Sequence, residues 1–230
     1  MDTSLHQTPQ IITAITAQKK NPSRCSVFVN GEFAFGCTID TTVRFGLTKG
    51  RELTQRDREQ LEAQEDIIAL KQTALRYATH KSRTAEEVRR KMLEKGFAPE
   101  EAEYAVQFLE EFGYVNDRQY ATTFIQEMMK RKPAGESRLR QELAKRGISK
   151  HDITDALAEA FPAETAHDMA FDSAMAAAQK KMHTLAHKTP EKRKQALVSY
   201  LQRQGFSWEI IKKVLPNVME DGGEETDMED

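Results

Sequence analysis

A chain of 230 residues has room for one or two domains and removes roughly 70% of its unfolded surface from water on folding. Charged residues make up 30% of it and aromatics only 7%, which favours a helical, surface-rich protein over a β-sandwich or a large enzyme core. The formal net charge of −2 hides an asymmetry: the last eleven residues, EDGGEETDMED, hold seven of the 36 acids and none of the 34 bases, so residues 1–219 carry 34 bases against 29 acids, or +5.

The start, MDTSLHQTPQ, lacks the basic-then-apolar pattern of a secretory leader, and no apolar run approaches a bilayer-spanning length, so a cytoplasmic protein is expected. Ile11 to Ala17 reads as a strand. Cys25 to Val29 and Glu32 to Phe35 alternate around Asn30-Gly31, the strongest short hairpin signal because both turn residues need positive φ. A regular two-residue hairpin sets position 25 opposite 36 and 37 opposite 24, so Cys25 and Cys37 should be free thiols on different cross-strand pairs. Thr54 then opens a linking helix, with Asp57 at its third position in a capping pattern.

Beyond residue 65 every segment reads helical, and a repeat emerges when the chain is aligned on Gly96, Gly147 and Gly205. Eight residues before these glycines stand Val88, Leu139 and Leu197; four before, Met92, Leu143 and Leu201; one after, Phe97, Ile148 and Phe206. Each glycine fits the left-handed position that ends a helix, where the residue four before packs on the residue after. Each such hairpin follows one more helix, predicted at 66–79, 117–131 and 164–182, and the hairpin helices fall at 84–95 and 99–112, 136–146 and 150–160, 190–204 and 208–215. The expected fold is mainly α: three tandem three-helix repeats forming an elongated curved array, behind a small N-terminal β-hairpin unit. The boundaries are 1–65 for the β unit and linking helix, 66–116, 117–163 and 164–219 for the repeats, and 220–230 for a disordered acidic tail. That tail is either a solubilising end or a mimic of nucleic acid that competes for a basic face.

No phosphate loop or nucleophile elbow is present, and no cofactor is expected. His183 and His187, four apart on a predicted helix, are half of a metal site with nothing to complete it. Charge is more informative. The leading hairpin helices sum to +1, +2 and +3, the following ones to −5, −2 and +1. A helix-turn-helix that reads bases needs a basic second helix, so base-specific readout is not expected. Instead, basic clusters recur along the repeats: Arg89-Arg90-Lys91, Lys130-Arg131-Lys132, Arg138 with Arg140, Lys145-Arg146 and Lys192-Arg193-Lys194. They suit a line of phosphates or an acidic protein groove, or else they are solvated faces laced by i,i+4 ion pairs.

The stretches TAEEVRRKMLEKGF, FLEEFGYVNDRQYATTFI and GESRLRQELAKRGIS resemble the RecX family of bacterial RecA regulators, and the resemblance covers about 66–215. VNGEFAF in the β unit resembles the extension that some members carry. The family's GY-(L/V)-(D/N)-D pattern is here Gly113-Tyr114-Val115-Asn116-Asp117. Physically it is another helix end, with Gly113 left-handed, Tyr114 packing on Leu109 and Asp117 capping the next helix. The third repeat carries FPAETAHD instead, and the acidic tail also departs from the pattern. The resemblance implies a non-enzymatic modulator; a monomer is expected, and with no bilayer-length apolar run no membrane association is expected. Its partners would be the RecA filament and single-stranded DNA, with double-stranded DNA a further candidate. It would limit filament growth or promote disassembly, depressing RecA ATPase and strand exchange. Arg89, Arg90, Arg138, Arg140, Arg193 and Lys194 would then meet phosphates or acidic filament surfaces. The competing readings are a sequence-tolerant single-strand binder that acts without RecA, and a protein-interaction scaffold whose bases are merely solvated.

Overall fold

A computed structural model describes residues 9–220, so the acidic tail beyond Glu220 lies outside the described residues. The chain divides into two compact units, one ending at Ala74 and the other beginning at Leu75. Among the described residues no helix is long and apolar enough to cross a membrane.

The first unit is built on a three-stranded antiparallel sheet in the order β1 (Ile12–Gln18), β2 (Asn21–Val29), β3 (Glu32–Thr38). Asn30 and Gly31 turn the β2–β3 hairpin with φ of 52° and 90°. The Asn30 side chain also accepts from Ile11 N and donates to Pro9 O. The register departs from the regular hairpin. Phe28 pairs with Phe33 but Val27 pairs with Phe35, which leaves Ala34 as a bulge and sets Cys25 directly opposite Cys37.

Burial supplies the reason for the bulge. A regular register would turn Ala34 and Gly36 toward the core; the bulge turns Phe35 and Cys37 there instead, against Val27, Ile12 and Leu61. Exchanging an alanine for a phenylalanine in that core is worth on the order of 1–2 kcal/mol of added apolar burial. The thiols are free, although they face one another, and burial, followed by the nearby Glu65 and Cys25, pushes the Cys37 thiol up to about 11.

Two features downstream differ from the sequence reading. A short helix, α1 (Ile39–Arg44), follows β3 directly, started by Thr38, whose hydroxyl accepts from Thr41 N at 3.1 Å. The linking helix and the first repeat helix are one element, α2 (Gln55–His80), with no break near residue 65. No glycine or proline lies between Thr54 and His80 to interrupt it. The predicted capping box is present: Asp57 N donates to Thr54 Oγ1, and Thr54 N donates to Asp57 Oδ2.

The second unit contains α3 (Ala85–Glu94), α4 (Pro99–Glu111), α5 (Asp117–Arg131), α6 (Glu136–Ala144), α7 (Lys150–Ala160), α8 (Ala166–His183), α9 (Pro190–Arg203) and α10 (Trp208–Glu220). The three hairpins α3–α4, α6–α7 and α9–α10 close as the repeat predicts. Gly96, Gly147 and Gly205 sit at φ of 89°, 80° and 85°. The residue after each donates its N–H to the carbonyl of Met92, Leu143 or Leu201, at 3.2, 3.4 and 3.2 Å. The apolar columns form the cores: Leu139, Leu143, Ile153 and Leu157 pack with Ile125 and Ala121, and Leu197, Leu201, Ile211 and Leu215 with Ala174 and Ala178.

Successive repeats are joined at equivalent positions, by a side-chain donor at the first joint and a backbone donor at the second. At the first joint the Thr84 hydroxyl, at the start of α3, donates to Arg146 O at the end of α6, at 2.8 Å. At the second, Gly135 N, at the start of α6, donates to Gln204 O at the end of α9, at 2.9 Å. Thr84 and Gly135 are equivalent positions, each twelve residues before its own turn glycine. The approach is so close that a Cβ on Gly147 would collide with Glu86, and one on Gly205 with Arg138. A Cβ on Gly96 would meet nothing within 4 Å. The turn glycines therefore serve φ in all three repeats and close packing in the second and third only.

Candidate nucleic-acid interface

Most of the basic residues predicted to face a partner are engaged within the chain. Arg89 bridges Glu86 at 2.6 Å and Glu103 at 2.9 Å, tying α3 to α4, and the Glu103 bond above all raises its pKa. Lys91 pairs with Glu94, Arg140 with Glu136, and both Lys145 and Arg146 with Glu142, at 2.7–3.3 Å. Arg140 also reaches Thr154 on α7, and Arg146 lies 4.4 Å from the Phe124 ring centre. Arg138 donates to the Gln204 side chain across the second repeat joint. Arg193 donates to Ala186 O and Lys188 O at 2.9 and 3.2 Å, pinning the turn between α8 and α9.

Four of the eleven remain. Arg90, Lys130, Arg131 and Lys194 are exposed, and none has a hydrogen bond or ion pair among the described residues. Lys130 and Arg131 end α5, where their charge also opposes the negative C-terminal helix dipole. These four are cations at the surface of three different repeats that make no hydrogen bond or close ion pair among the described residues, although Arg90 still interacts electrostatically with Glu94 on its own helix. Exposed pairs such as Lys145–Glu142 are worth under about 1 kcal/mol and are readily exchanged for a stronger anion, so they form a reserve.

The Gly113–Asp117 motif is a structural joint. Gly113 has φ 71°, and Tyr114 N and Val115 N both donate to Leu109 O, at 2.8 and 3.2 Å. Val115 is the buried residue of the turn, while the Tyr114 ring stays 47% exposed. The cap of α5 is Asn116, whose side chain accepts from Gln119 N at 2.9 Å, and not Asp117. Asp117 is the first helical residue and turns instead to α3, accepting from Ala85 N at 2.8 Å, so it caps the neighbouring helix. Its physical reason is reach: a side chain inside the first turn cannot accept from its own N3, whereas the orphan Ala85 N–H lies beside it.

Burial pushes the Asp117 carboxyl above its ordinary range. The Ala85 N–H and Arg89 oppose the shift, and Asp152 and Glu87 add to it. A raised carboxylate is destabilised as pH climbs through its folded pKa, so charge at Asp117 works against the fold at neutral pH. Asp117→Asn, which keeps the acceptor, should be at least as stable as the parent at pH 7. Its advantage should vanish as pH falls toward the unfolded value near 3.8. Asp117→Ala should lose about 1 kcal/mol by urea unfolding, the usual effect of removing a cap.

No group of three metal-ligating side chains occurs among the described residues. His183 is the last residue of α8 and His187 lies in the turn beyond, so the two do not share the predicted helical face. Two features carry little local signal in the sequence. Gly135 occupies the Thr84 column of the repeat, which only the alignment of the repeats reveals. Trp208 and Lys212 share one face of α10 at i,i+4 spacing, with the ammonium 5.6 Å from the ring centre.

Comparison with known proteins agrees with this architecture segment by segment. The family model for the regulatory protein RecX N-terminal domain matches residues 10–54. Models for the first, second and third three-helix domains of RecX match residues 71–109, 116–157 and 168–215. Regulatory protein RecX of Bacillus pumilus is 30% identical over 93% of this chain and 79% of its own length. That of Clostridium perfringens strain 13 is 28% identical over 89% and 94%. A crystal structure of regulatory protein RecX superposes with a TM-score of 0.74 at 24% identity, covering 90% of this chain and 99% of that one. RecX from Lactobacillus salivarius gives 0.58 at 22% identity over 66% and 96%.

Proposed function

The chain belongs to the RecX family of regulatory proteins, and from that premise we propose that it binds the RecA–single-stranded-DNA filament and inhibits RecA, by blocking filament growth or promoting disassembly. It acts by binding and not by chemistry on a substrate. The observation that carries this reading is the recurrence, through consecutive repeats, of exposed cations without a hydrogen bond or close ion pair among the described residues: Arg90 in the first, Lys130 and Arg131 in the second, Lys194 in the third. A filament offers a repeating polyanion, and a repeat protein meets it with repeating bases. The acidic second helices α4 and α7 argue against insertion into a DNA groove, which leaves backbone and protein contacts as the source of affinity.

The test is anisotropy of a labelled oligothymidylate, bare or coated with RecA, titrated with the full chain between 50 and 200 mM salt. Tighter binding to the coated strand is expected. Equal affinity for bare and coated strands, with a steep salt slope, would replace this reading with a single-strand binder that needs no RecA.

A further inference from the structure

Repeat three breaks the charge pattern of the other two. Its second helix, α10, carries Lys212 and Lys213 where α4 and α7 are net acidic, and it also bears the only tryptophan of the chain. Trp208 is 50% exposed. It lines a shallow groove on α10 beside α9, together with Leu215, Pro216 and Met219 and with Lys194 and Lys212. Glu209, the acid of the same helical turn, lies 3.7 Å from the Lys213 ammonium, which also meets His167 at 2.8 Å. Lys194 has no partner among the described residues. A large ring left half in water, with a cation at 5.6 Å from its centre and another across the groove, is the arrangement that accepts a base on the ring and phosphates on the ammonium groups.

We propose that the α9–α10 groove is a single-stranded nucleic-acid subsite in which Trp208 stacks on one base while Lys194 and Lys212 hold the adjoining phosphates. Stacking on an aromatic ring tolerates any base, so the subsite carries affinity without sequence preference. The inference rests on the reading of a nucleic-acid partner and locates one contact of it.

Because Trp208 is the single tryptophan, its emission reports on the groove directly. Titration of the full chain with oligothymidylate should quench that emission to saturation. Heparin, a polyanion without bases, should bind and leave it nearly unchanged. Trp208→Ala should weaken oligothymidylate binding about tenfold by anisotropy, and Trp208→Phe should restore most of the loss. Lys194→Gln with Lys212→Gln should lower the salt slope by about 1.4, at about 0.7 for each phosphate contact on a single strand. An unquenched Trp208 on a strand that binds by anisotropy overturns the subsite and leaves the nucleic-acid reading standing. So does equal quenching by heparin, or wild-type affinity in Trp208→Ala. Absence of any anisotropy change with bare oligothymidylate overturns the subsite, and absence of a change with the RecA-coated strand as well overturns both.

Discussion

Gly205→Ala should lower the unfolding free energy by about 2–4 kcal/mol, against about 1 kcal/mol for Gly96→Ala, although the two glycines have nearly the same φ. Both variants place an alanine in the left-handed region, at a cost of about 1 kcal/mol. Only at Gly205 does the new methyl also meet another repeat, with Arg138 Cβ 2.7 Å from where it would sit and the Arg138 backbone nitrogen nearer still. Backbone cannot swing aside as a side-chain tip can, so repeat three must shift and strain the joint, adding about 1–3 kcal/mol. Gly135→Ala isolates that second effect, because Gly135 has an ordinary φ of −77° but would collide with Gly205 O. It should fall between the other two. Urea midpoints for the three variants check the order, and equal losses at Gly96 and Gly205 would mean that the joint does not bear on stability.

Neutralising Lys130 and Arg131 together should weaken binding to DNA or to the coated filament roughly 20-fold at 0.1 M salt and cost only the helix-dipole contribution to stability, under about 1 kcal/mol. Each phosphate contact on a single strand releases about 0.7 counterion, worth about fivefold at that salt. Neither side chain has a partner to lose within the chain among the described residues. Arg138→Gln should behave in the opposite way. Arg138 is bonded to Gln204 across the repeat joint, so its loss should cost stability, about 1 kcal/mol, with little change in the salt slope. Anisotropy and thermal unfolding on the same preparations separate the two kinds of base. Full binding by the Lys130/Arg131 variant, with loss of binding in a stable Arg138→Gln, would reverse the assignment.

The hairpin helices were legible because their ends carry local chemistry at the turn glycines and their faces carry apolar columns at helical spacing. The predicted boundaries agree to within about two residues except at α2 and α10, and α1 was not predicted at all. The hairpin turn was legible too, but its register was not. Which of Ala34 and Phe35 faces inward depends on the core that α2 and the following loop build against the sheet, and no turn rule contains that information. The cap at Asp117 failed for a related reason, since its partner Ala85 is 32 residues away in sequence.

The same division runs through the candidate site. Bases with an acid three or four residues off, such as Lys91 with Glu94 or Arg140 with Glu136, were readable as ion-paired faces. The commitments of Arg138 to Gln204 and of Arg193 to backbone carbonyls were not, because they arise where repeats or turns meet. Trp208 drew no attention from sequence because a lone aromatic in a helix is ordinarily core. Its exposure is a tertiary fact.

The most direct test of the proposed role is the ATPase rate of RecA on single-stranded DNA as the purified full chain is added. The proposal predicts that the rate falls at substoichiometric to equal protein, and falls less with the Lys130/Arg131 variant. An unchanged rate up to equal protein would contradict it.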